Sequence, residues 1–502
     1  MKLPFLRISL CSVYSVFVVG SAYAAQSETT GSLYPADIVS LAEPAATTQR
    51  SDNRATSKPK TLPTQNGALA IALGDATRAV TASRPSADFE IMIREAVGRQ
   101  PVFHAQISAL DETRAERRLA RSALYPQLSA QLSGDFALSQ DFSTDTTNVV
   151  ESLRPNERVT AGFSVSQLIY DGGATFNRVR AARARHREFE NALTTRINDL
   201  ALNSLTAYHD ALTHQALLTL AIAFIERHEE ILNNVRDRQR LGASSRADVT
   251  QASARLAAAQ ARFAEISESA RLSEIRYEDF FREEPGILRR PIIEGDTASD
   301  RKETVSRALE ENPELAAAAA RADASQSEFK AAKKSRLPEF RVSLDATRFD
   351  VFDSGDDFDV RAGLNLNYDL FNGGARSATI AQARSRASQD RFGEEQMRRE
   401  IERDAAIAFE QVVGAKARLI ALEAAVVAHN KTRDLVLERY KLARGDLIDV
   451  LQAESDFFDA SVSYITGLSS FDLVQYALME HTGELTRRFS PRDPGRQGET
   501  IE

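Results

Sequence analysis

The sequence of 502 residues predicts an α+β membrane protein made of two tandem structural repeats, each with a few strands and very long helices. Three observations indicate this class: the chain repeats itself, each copy contains an alternating polar and apolar hairpin, and each hairpin precedes a long proline-free stretch. Pro101 recurs as Pro313 at an offset of 212, and Gly172 recurs as Gly373 at an offset of 201. The first copy therefore holds 11 extra residues between Pro126 and Gly172. A duplicated unit of this length predicts internal two-fold pseudosymmetry.

The ends of the chain carry separate signals. Residues 1–24 have a positively charged start, a short apolar stretch and the small residues of a cleavage site, so they predict a signal peptide rather than a transmembrane anchor. Cys11 lies inside this segment, so the mature chain is expected to have no disulfide, thiolate metal site or cysteine nucleophile. Residues 25–85 and 491–502 contain few large apolar side chains and predict a flexible leader and a disordered tail.

The charge balance limits the possible partners. The formal net charge is −8, and a mildly acidic chain of this kind is a poor nucleic-acid binder. After the signal peptide, no stretch offers the roughly eighteen uncharged apolar residues that a membrane helix needs. The strands of a membrane β-barrel have a much weaker hydropathy signal, so the composition leaves a barrel open.

Two hairpins are predicted from residues that alternate between apolar and polar. The first repeat, 86–298, has strands at about 127–142 and 158–170, and the second repeat, 299–490, has strands at about 339–352 and 359–371. An antiparallel sheet on a soluble core is one interpretation. However, two hairpins cannot close a barrel, and strands of about ten residues suit a transmembrane barrel that several chains build together.

Each hairpin is followed by a pair of long helices, predicted at 174–241 and 248–281 and again at 375–442 and 449–481. The longer ones would extend about 100 Å at 1.5 Å per residue, which favours a coiled-coil assembly. Apolar residues in the returning helices recur every three or four positions and require a facing helix. In the turns, glycine is expected to end the incoming helix, and Asp248 and Asp449 are expected to cap the outgoing one.

Several motifs in the same order in both copies resemble the TolC family of outer-membrane channel proteins, from about Ser86 to Phe489. These motifs are Tyr-Pro-Gln-Leu at 125–128, Leu-Ile-Tyr-Asp-Gly-Gly at 168–173, Asp-Leu-Phe-Asn-Gly-Gly at 369–374, and the segment 440–453. The resemblance implies a homotrimer in which four strands per chain close a 12-stranded outer-membrane β-barrel. It also implies that the long helices continue this barrel as an α-helical coiled-coil tunnel across the periplasm.

The resemblance implies partners and site residues as well. Members contact outer-membrane lipid and dock, through a periplasmic adaptor protein, an inner-membrane ABC transporter or proton-driven pump. Their helix-turn-helix tips form the periplasmic entrance. The matching gate and selectivity positions are Asp449, Asp248, Tyr440 and Arg444, and the adaptor-docking positions are Leu241, Gly242, Ala243, Ser244, Leu442, Ala443, Arg444 and Gly445. Gln452 and Gly445 stand where the family often has an acid and an arginine.

Simpler interpretations exist for most of these residues. Asp248 and Asp449 can be helix caps, although a ring of three Asp449 carboxylates in a narrow pore would favour cations. Tyr440 can be a packing residue. His228 and His429 occupy equivalent positions, which fits partly exposed coiled-coil histidines better than a metal site. The run of arginines from Arg178 to Arg187 predicts a solvated helix face, with lipid head groups as the alternative contact.

The predicted function is an exit duct of a tripartite export system, with type I protein secretion as the first hypothesis. The sequence contains no phosphate loop, metal-protease motif or serine-nucleophile motif, so we expect no enzyme and no cofactor or metal. Two alternatives stay open: the outer-membrane component of a multidrug or metal efflux pump, and a periplasmic structural coiled-coil protein. In each reading the chain is not expected to bind nucleic acid.

Overall fold

The computed structural model describes residues 86–139, 157–293, 300–352 and 357–491, which all belong to one compact unit, Thr61–Glu502. The predicted signal peptide and leader, and residues 492–502 of the predicted tail, lie outside the described residues. The elements follow the order of the repeat: α1 (Ser86–Arg99), α2 (Pro101–Ser122), β1 (Gln127–Phe136), β2 (Glu157–Tyr170), α3 (Ala174–Arg240), α4 (Arg246–Phe281), α5 (Arg301–Glu311), α6 (Pro313–Lys334), β3 (Glu339–Arg348), β4 (Phe358–Asn367), α7 (Ala375–Lys441), α8 (Leu447–His481) and the short α9 (Glu484–Phe489).

The four strands form one antiparallel sheet in the order β1-β2-β3-β4. β2 joins the two repeats, because it pairs with β1 of its own hairpin and with β3 of the second copy. The connection between β1 and β2 spans residues 137–156, whereas that between β3 and β4 spans 349–357. The 11 extra residues of the first copy therefore lie between its strands. β1 and β4 are the sheet edges and keep unpaired backbone groups within this chain.

Three strand boundaries differ from those predicted. β1 ends at Phe136 rather than at about 142, β3 at Arg348 rather than 352, and β4 at Asn367 rather than 371. The last pair of the β3–β4 ladder is Glu339 with Asn367, because Pro338 precedes β3 and has no N–H to donate. Leu370, predicted as a strand residue from its alternation, therefore lies outside the sheet. Alternation along the sequence cannot show where a partner strand stops.

Two helices, α3 and α7, have 67 residues each and follow directly after the hairpins. The chain turns sharply between β2 and α3, where Gly172 has a φ of 68°. A Cβ at Gly172 would collide with the side chain of Leu337, which lies in the connection between α6 and β3. Glycine is required here because it allows both the left-handed backbone and the close approach of the two connections.

The helices pack in one connected arrangement. Near the strands α3 packs between α2 and α6, and α6 packs against α7. Toward the other end, α4 packs on α3 and α8 packs on α7, while α3 also contacts α8. The two helical hairpins, α3/α4 and α7/α8, are thus joined through α3 and α8. No helix among the described residues is long and apolar enough to cross a membrane.

The apolar core follows the length of these helices instead of forming one central cluster. A large cluster around Tyr208, Tyr277, Phe281 and Phe489 joins α1, α3, α4, α8 and α9. Two smaller clusters continue along the helical hairpins, one around Phe224, Phe457 and Phe458 and another around Ile231, Leu437 and Leu451. The predicted stripes of α4 and α8 supply many of these contacts, as expected for helices that pack by heptads.

Candidate functional site

The tip of the first helical hairpin lies between α3 and α4. Gly242 has a φ of 79°, and the N–H of Ala243 donates to the carbonyl of Arg238 at 2.7 Å, which closes a Schellman turn. Ser245 then caps α4: its Oγ accepts from the N–H of Asp248 at 3.1 Å, and Asp248 Oδ2 accepts from the N–H of Ser245 at 2.8 Å. Asp248 therefore completes a capping box as its third residue, and the prediction that it occupies the cap itself was wrong.

The second tip, between α7 and α8, has the same backbone with different residues. Ala443, rather than Gly445, occupies the left-handed position with a φ of 55°. The N–H of Arg444 donates to the carbonyl of Arg439 at 2.9 Å, as Ala243 does in the first tip. The expectation that Gly445 ends this helix was wrong. Because Ala443 corresponds to Gly242 at the repeat offset, the position follows from the register of the helix and not from where a glycine is available.

Asp449 also differs from its predicted role as a cap. α8 begins at Leu447 with Asp446 in the cap position, and the Asp446 side chain makes no capping hydrogen bond. Asp449 lies in the first turn, where a negative charge interacts favourably with the helix dipole, and its side chain is exposed. Arg444 is exposed as well. Neither residue forms an ion pair with any residue that the structure describes.

Tyr440 is the predicted gate residue that joins the two tips. The guanidinium of Arg238, near the end of α3, lies 4.8 Å from the centre of the Tyr440 ring. Burial raises the pKa of the Tyr440 phenol, and the Asp248 carboxylate adds to this, whereas Arg238 and a hydrogen bond with Ser244 act in the opposite direction. Tyr440 and Asp248 are thus brought together, in a group that includes Arg238. The sequence alone gave no reason to select Arg238.

Further polar contacts join the same two hairpins farther along α4 and α8, away from the tips. Arg255 of α4 donates from Nη2 to Oε1 of Gln452 at 3.2 Å, and Arg262 donates from Nη1 to Oδ1 of Asp459 at 2.5 Å. Gln452 stands where the family often has an acid, and here its side chain amide accepts from an arginine. These contacts are exposed, so each contributes little alone, but all of them join α4 to α8.

One polar contact between the hairpins is almost fully buried. Arg227 of α3 donates from Nε to Oε1 of Glu454 on α8 at 2.8 Å, and their side chains are only 2% and 1% exposed. Arg227 also donates from Nη1 to Glu230 at 2.9 Å. The adjacent His228, which was expected to be partly exposed, is instead buried, and neither ring nitrogen has a partner among the described residues. This pair was not predicted from the sequence, although an acid next to the apolar stripe of α8 was a signal for it.

A second buried polar group lies in the large cluster near α9. Arg290, in the segment after α4, donates to both carboxylate oxygens of Asp472 at 2.6 Å each. The Tyr208 hydroxyl donates to the carbonyl of Arg289 at 2.6 Å, so the same segment is attached to α3 as well. Residues 286–290 therefore join α3 to α8, where the two repeats meet.

The strand ends nearest the helices carry aromatic residues. Tyr125 lies just before β1, Tyr170 ends β2, Phe340 lies at the start of β3, and Tyr368 follows β4. The three tyrosines are about half exposed, and the ring centres of Tyr170 and Phe340 are 6.1 Å apart. Large apolar side chains of the strands, such as Leu128 and Leu132, are mostly exposed. A row of aromatic residues beside exposed apolar strands is typical of the boundary between a membrane and water.

The described residues contain no group of three or more His, Cys, Asp and Glu side chains that could hold a metal ion. The polar clusters described above join helices to one another. The site is therefore an arrangement of surfaces and contacts: the aromatic row at the strand ends, the two exposed tips, and the links between the helical hairpins.

Comparisons with known proteins agree with this geometry. The family model "Outer membrane efflux protein" matches residues 92–276 and 304–484, one segment in each repeat. The outer membrane efflux protein BepC of Brucella suis is 23% identical over 372 residues, which are 73% of this chain and 79% of BepC. Protein CyaE of Bordetella pertussis is 25% identical over 395 residues, 76% of this chain and 81% of CyaE.

The fold is also that of a solved channel. The outer membrane channel CmeC of Campylobacter jejuni superposes with a TM-score of 0.70 at 14% identity, covering 78% of this chain and 85% of CmeC. Four strands and the long helices described above are the share that one chain contributes to such a channel. The chain belongs to the outer membrane efflux protein family and is a channel of the Gram-negative outer membrane with a large periplasmic portion, not an enzyme.

Proposed function

We propose that three copies of this chain form the exit duct of a tripartite export system, which carries protein substrates from an inner-membrane transporter to the outside. The observation that carries the proposal is the four-stranded sheet with two open edges, continued by two helices of 67 residues. A four-stranded sheet cannot enclose a pore, whereas three such sheets joined edge to edge give 12 strands.

The helices support the same assembly. α7 exposes a row of large apolar residues at intervals of seven or eight, each between about half and two thirds exposed: Val413, Ile420, Val427 and Leu435. Such a row requires a facing helix, and none of the helices that the structure describes covers it. α4 exposes alanines at 254, 257, 258 and 261, which would accept large side chains from a neighbouring copy. We therefore place α4 of one copy against α7 of the next.

The tips suggest how such a duct closes. Tyr440, Arg238, Ser244 and Asp248 would hold the two hairpins of one chain together, and the three Asp449 carboxylates would line the opening. Replacing Tyr440 with Ala should raise the single-channel conductance in a planar bilayer, because the hairpins lose their contact. Tyr440→Phe keeps the ring over Arg238 and should change conductance little. Equal conductance of the Ala variant and the parent chain would mean that Tyr440 only packs.

Adaptor docking is assigned to the exposed loops of the tips. Leu241 and Leu442 are 77% and 60% exposed although both are large and apolar, and they occupy equivalent positions at the repeat offset. An exposed leucine on each tip would fit an apolar pocket on the surface of a partner protein. The remaining docking positions are Gly242, Ala243, Ser244, Ala443, Arg444 and Gly445. Arg444 places a positive charge at the position that Ala243 occupies in the first tip.

Two cargo classes have separate support. Protein export is favoured by the absence of any cysteine after the signal peptide, so the mature N-terminus cannot carry a thioether-linked lipid, and by the Tyr-Asp-Gly-Gly segment at 170–173. Efflux of small molecules is favoured by the name of BepC, an outer membrane efflux protein. The inner-membrane partner is accordingly an ABC transporter in the first case, and in the second a multidrug or metal pump such as a proton-driven one. The adaptor protein is common to both.

Deletion of the chain in its native host separates these functions. For protein export, we expect at least one protein to disappear from the culture supernatant, with unchanged susceptibility to drugs and metal ions. Complementation with the parent chain should restore secretion, whereas a chain with Leu241→Asp and Leu442→Asp should not. Raised drug or metal susceptibility with an unchanged supernatant would assign the duct to efflux instead.

A further inference from the structure

Basic residues are concentrated where the helices meet the strands. The chain as a whole is acidic, yet its helix ends beside the sheet carry Arg117, Arg118 and Arg121 in α2, Arg178, Arg180 and Arg183 in α3, Lys330, Lys333 and Lys334 in α6, and Arg384 and Arg386 in α7. Four positions in this region are basic in both repeats: 118 with 330, 121 with 333, 183 with 384, and 185 with 386. The concentration therefore belongs to the repeated unit itself.

The arginines of α3 lie on two opposite faces. Phe176, Arg180, Arg183 and Arg187 follow each other at steps of three or four residues and share one face of the helix, and all are exposed. Arg178 and Arg185, seven residues apart, share the opposite face. The residues between these faces, such as Val179 and Ala182, are buried. α3 has α2 on one side and α6 on the other, so the two exposed faces are the two sides of a single-layer wall.

Ion pairs between α3 and α6 show which lysines share the side of Phe176. Arg187 donates from Nη2 to Oδ2 of Asp323 at 3.2 Å, so Asp323 lies on that side. Lys330 and Lys334 follow Asp323 at intervals of seven and eleven residues and therefore lie on the same face of α6. On the other side of the wall, Arg185 pairs with Glu328. Lys333 lies beside Lys330, so three lysines of α6 extend the surface of Arg180 and Arg183.

These five cations are free for an external partner. Arg180, Arg183, Lys330, Lys333 and Lys334 are exposed and form no ion pair with any residue within the described ranges. Both helices are flanked on two sides by helices of their own chain, so these side chains do not lie at the subunit boundary. We name these five residues the basic collar.

The exposed Phe176 identifies the side of the wall that the collar occupies. Its ring is 66% exposed, directly after the strands and next to the aromatic row of Tyr125, Tyr170 and Tyr368. An exposed phenylalanine beside a membrane boundary is favourable on the lipid side and unfavourable in a water-filled lumen. The collar shares the face of Phe176 and so lies outside, immediately below the aromatic row.

The depth of the collar matches the lipid head groups. Arg180 and Arg183 follow the start of α3 by six and nine residues, about 9 and 14 Å along the helix. The three lysines lie among the last five residues of α6. The head-group region on each side of a bilayer is about 5–8 Å thick beyond the hydrocarbon core. Flexible arginine and lysine side chains reach this region from these positions.

We propose that the basic collar binds the phosphate groups of anionic phospholipids in the periplasmic leaflet of the outer membrane, such as phosphatidylglycerol. In the trimer the collar repeats three times around the channel, which gives fifteen cations at one depth of the bilayer. This ring of charge anchors the helical portion below the barrel and fixes the depth of the channel. The proposal depends on the outer-membrane location and not on the exported cargo.

The test uses the full-length trimer purified in detergent, with phosphatidylglycerol and phosphatidylcholine as probes and native mass spectrometry as the measurement. For the parent chain we expect preferential retention of phosphatidylglycerol, weakened by added salt. The variant Lys330→Gln/Lys333→Gln/Lys334→Gln should bind phosphatidylglycerol at least about tenfold more weakly, since each basic residue near an anionic surface contributes roughly a fivefold factor. Its binding of phosphatidylcholine should not change.

A variant with the same change in charge elsewhere is the matched control. Lys302, Lys416 and Lys431 are exposed lysines far from the strands, and their replacement by Gln should leave phosphatidylglycerol binding within twofold. If the lysine variant fails to assemble as a trimer, Arg180→Gln/Arg183→Gln tests the other half of the collar. Equal retention of both lipids by the parent chain, or unchanged binding in the collar variants, would overturn the proposal. A changed ion selectivity in planar bilayers with unchanged lipid binding would place the cations in the lumen.

Discussion

Arg227 and Glu454, which are far apart in sequence, form a buried ion pair between the two helical hairpins of the chain. The pair joins α3 of the first repeat to α8 of the second, between the apolar clusters around Phe458 and Leu451. Buried charges lose their hydration, so they are tolerated only when they are paired. Glu454 Oε2 has no further partner among the described residues, which makes Arg227 the essential contact of this carboxylate.

The first prediction concerns the removal of Glu454. Glu454→Ala leaves the Arg227 guanidinium buried without its main partner and should destabilise the chain by roughly 3–5 kcal/mol. The measurement is the temperature at which the trimer dissociates on a heated, semi-native gel. Asp459→Ala removes the exposed partner of Arg262 and should cost at most about 1 kcal/mol. Similar effects of the two variants would show that the buried pair has no special role.

The second prediction concerns the dependence of stability on pH. Burial, together with the nearby positive charges of Arg227, Arg255 and Arg262, lowers the pKa of His228 from 6.5 to about 4. The unfolded chain therefore binds a proton at a higher pH than the folded chain. Above pH 6.5 the neutral His228 does not reduce the free energy of unfolding. As the pH decreases from 6.5 toward 4, this free energy falls by on the order of 3 kcal/mol.

Replacing this histidine should remove that part of the pH dependence. His228→Leu fits the apolar surroundings of Phe224, whose ring lies 4.5 Å from the imidazole, and should lose less stability than the parent chain between pH 7 and 5. His429→Leu is the control, because His429 is the equivalent residue of the second repeat and is only half-buried. Parallel melting curves of the parent chain and His228→Leu across this pH range would refute the assignment.

The third prediction concerns the left-handed residue of the second tip. Ala443 adopts a φ of 55°, which costs a residue with a Cβ about 1 kcal/mol. Ala443→Gly should relieve this cost and slow hydrogen exchange of the Arg444 amide, whose bond closes the turn. At the equivalent position of the first tip, Gly242→Ala should do the reverse and speed exchange at Ala243. Faster exchange in Ala443→Gly would show that flexibility of glycine outweighs the relieved strain.

The fourth prediction concerns ion selectivity. If the three Asp449 side chains line the opening of the duct, Asp449→Asn should weaken the preference for cations, measured as a reversal potential across a planar bilayer with a salt gradient. Asp248→Asn is a comparison variant, since the Asp248 carboxylate is held by the Ser245 N–H within its own tip. Unchanged selectivity in Asp449→Asn would leave this residue with only a role in the first turn of α8.

The repeat itself was the most useful feature for prediction. The offsets of 212 and 201 gave the order of the elements and placed the 11 extra residues between β1 and β2, because duplicated segments keep their spacing where they must pack. The helix starts at Arg246 and Leu447 lie two residues before those predicted, since Ser245 and Asp446 occupy the caps. The preference for glycine at helix ends predicted Gly445 as the left-handed residue of the second tip. The repeat offset of 201 instead predicts Ala443, the equivalent of Gly242, which is the residue observed.

Contacts between distant helices were not predictable in the same way. A heptad pattern shows which face of α8 is buried, but it does not show that Glu454 beside this face pairs with Arg227. The same holds for Arg238 and Tyr440, whose contact depends on how the two tips lie next to each other. The division of the arginines of α3 between two sides of the wall could be derived from their spacing, but choosing the lipid side required the exposure of Phe176.

The equal length of α3 and α7 has a consequence for how such a chain can evolve. Both helices span 67 residues, so each extends the same distance from the strands and makes the same total turn about its axis. Losing one residue from either would shift its tip by about 1.5 Å and turn it by more than a quarter of a revolution, and every later contact would fall out of step. Insertions and deletions are therefore tolerated between the strands, where the two copies already differ, while the helices can change length only together.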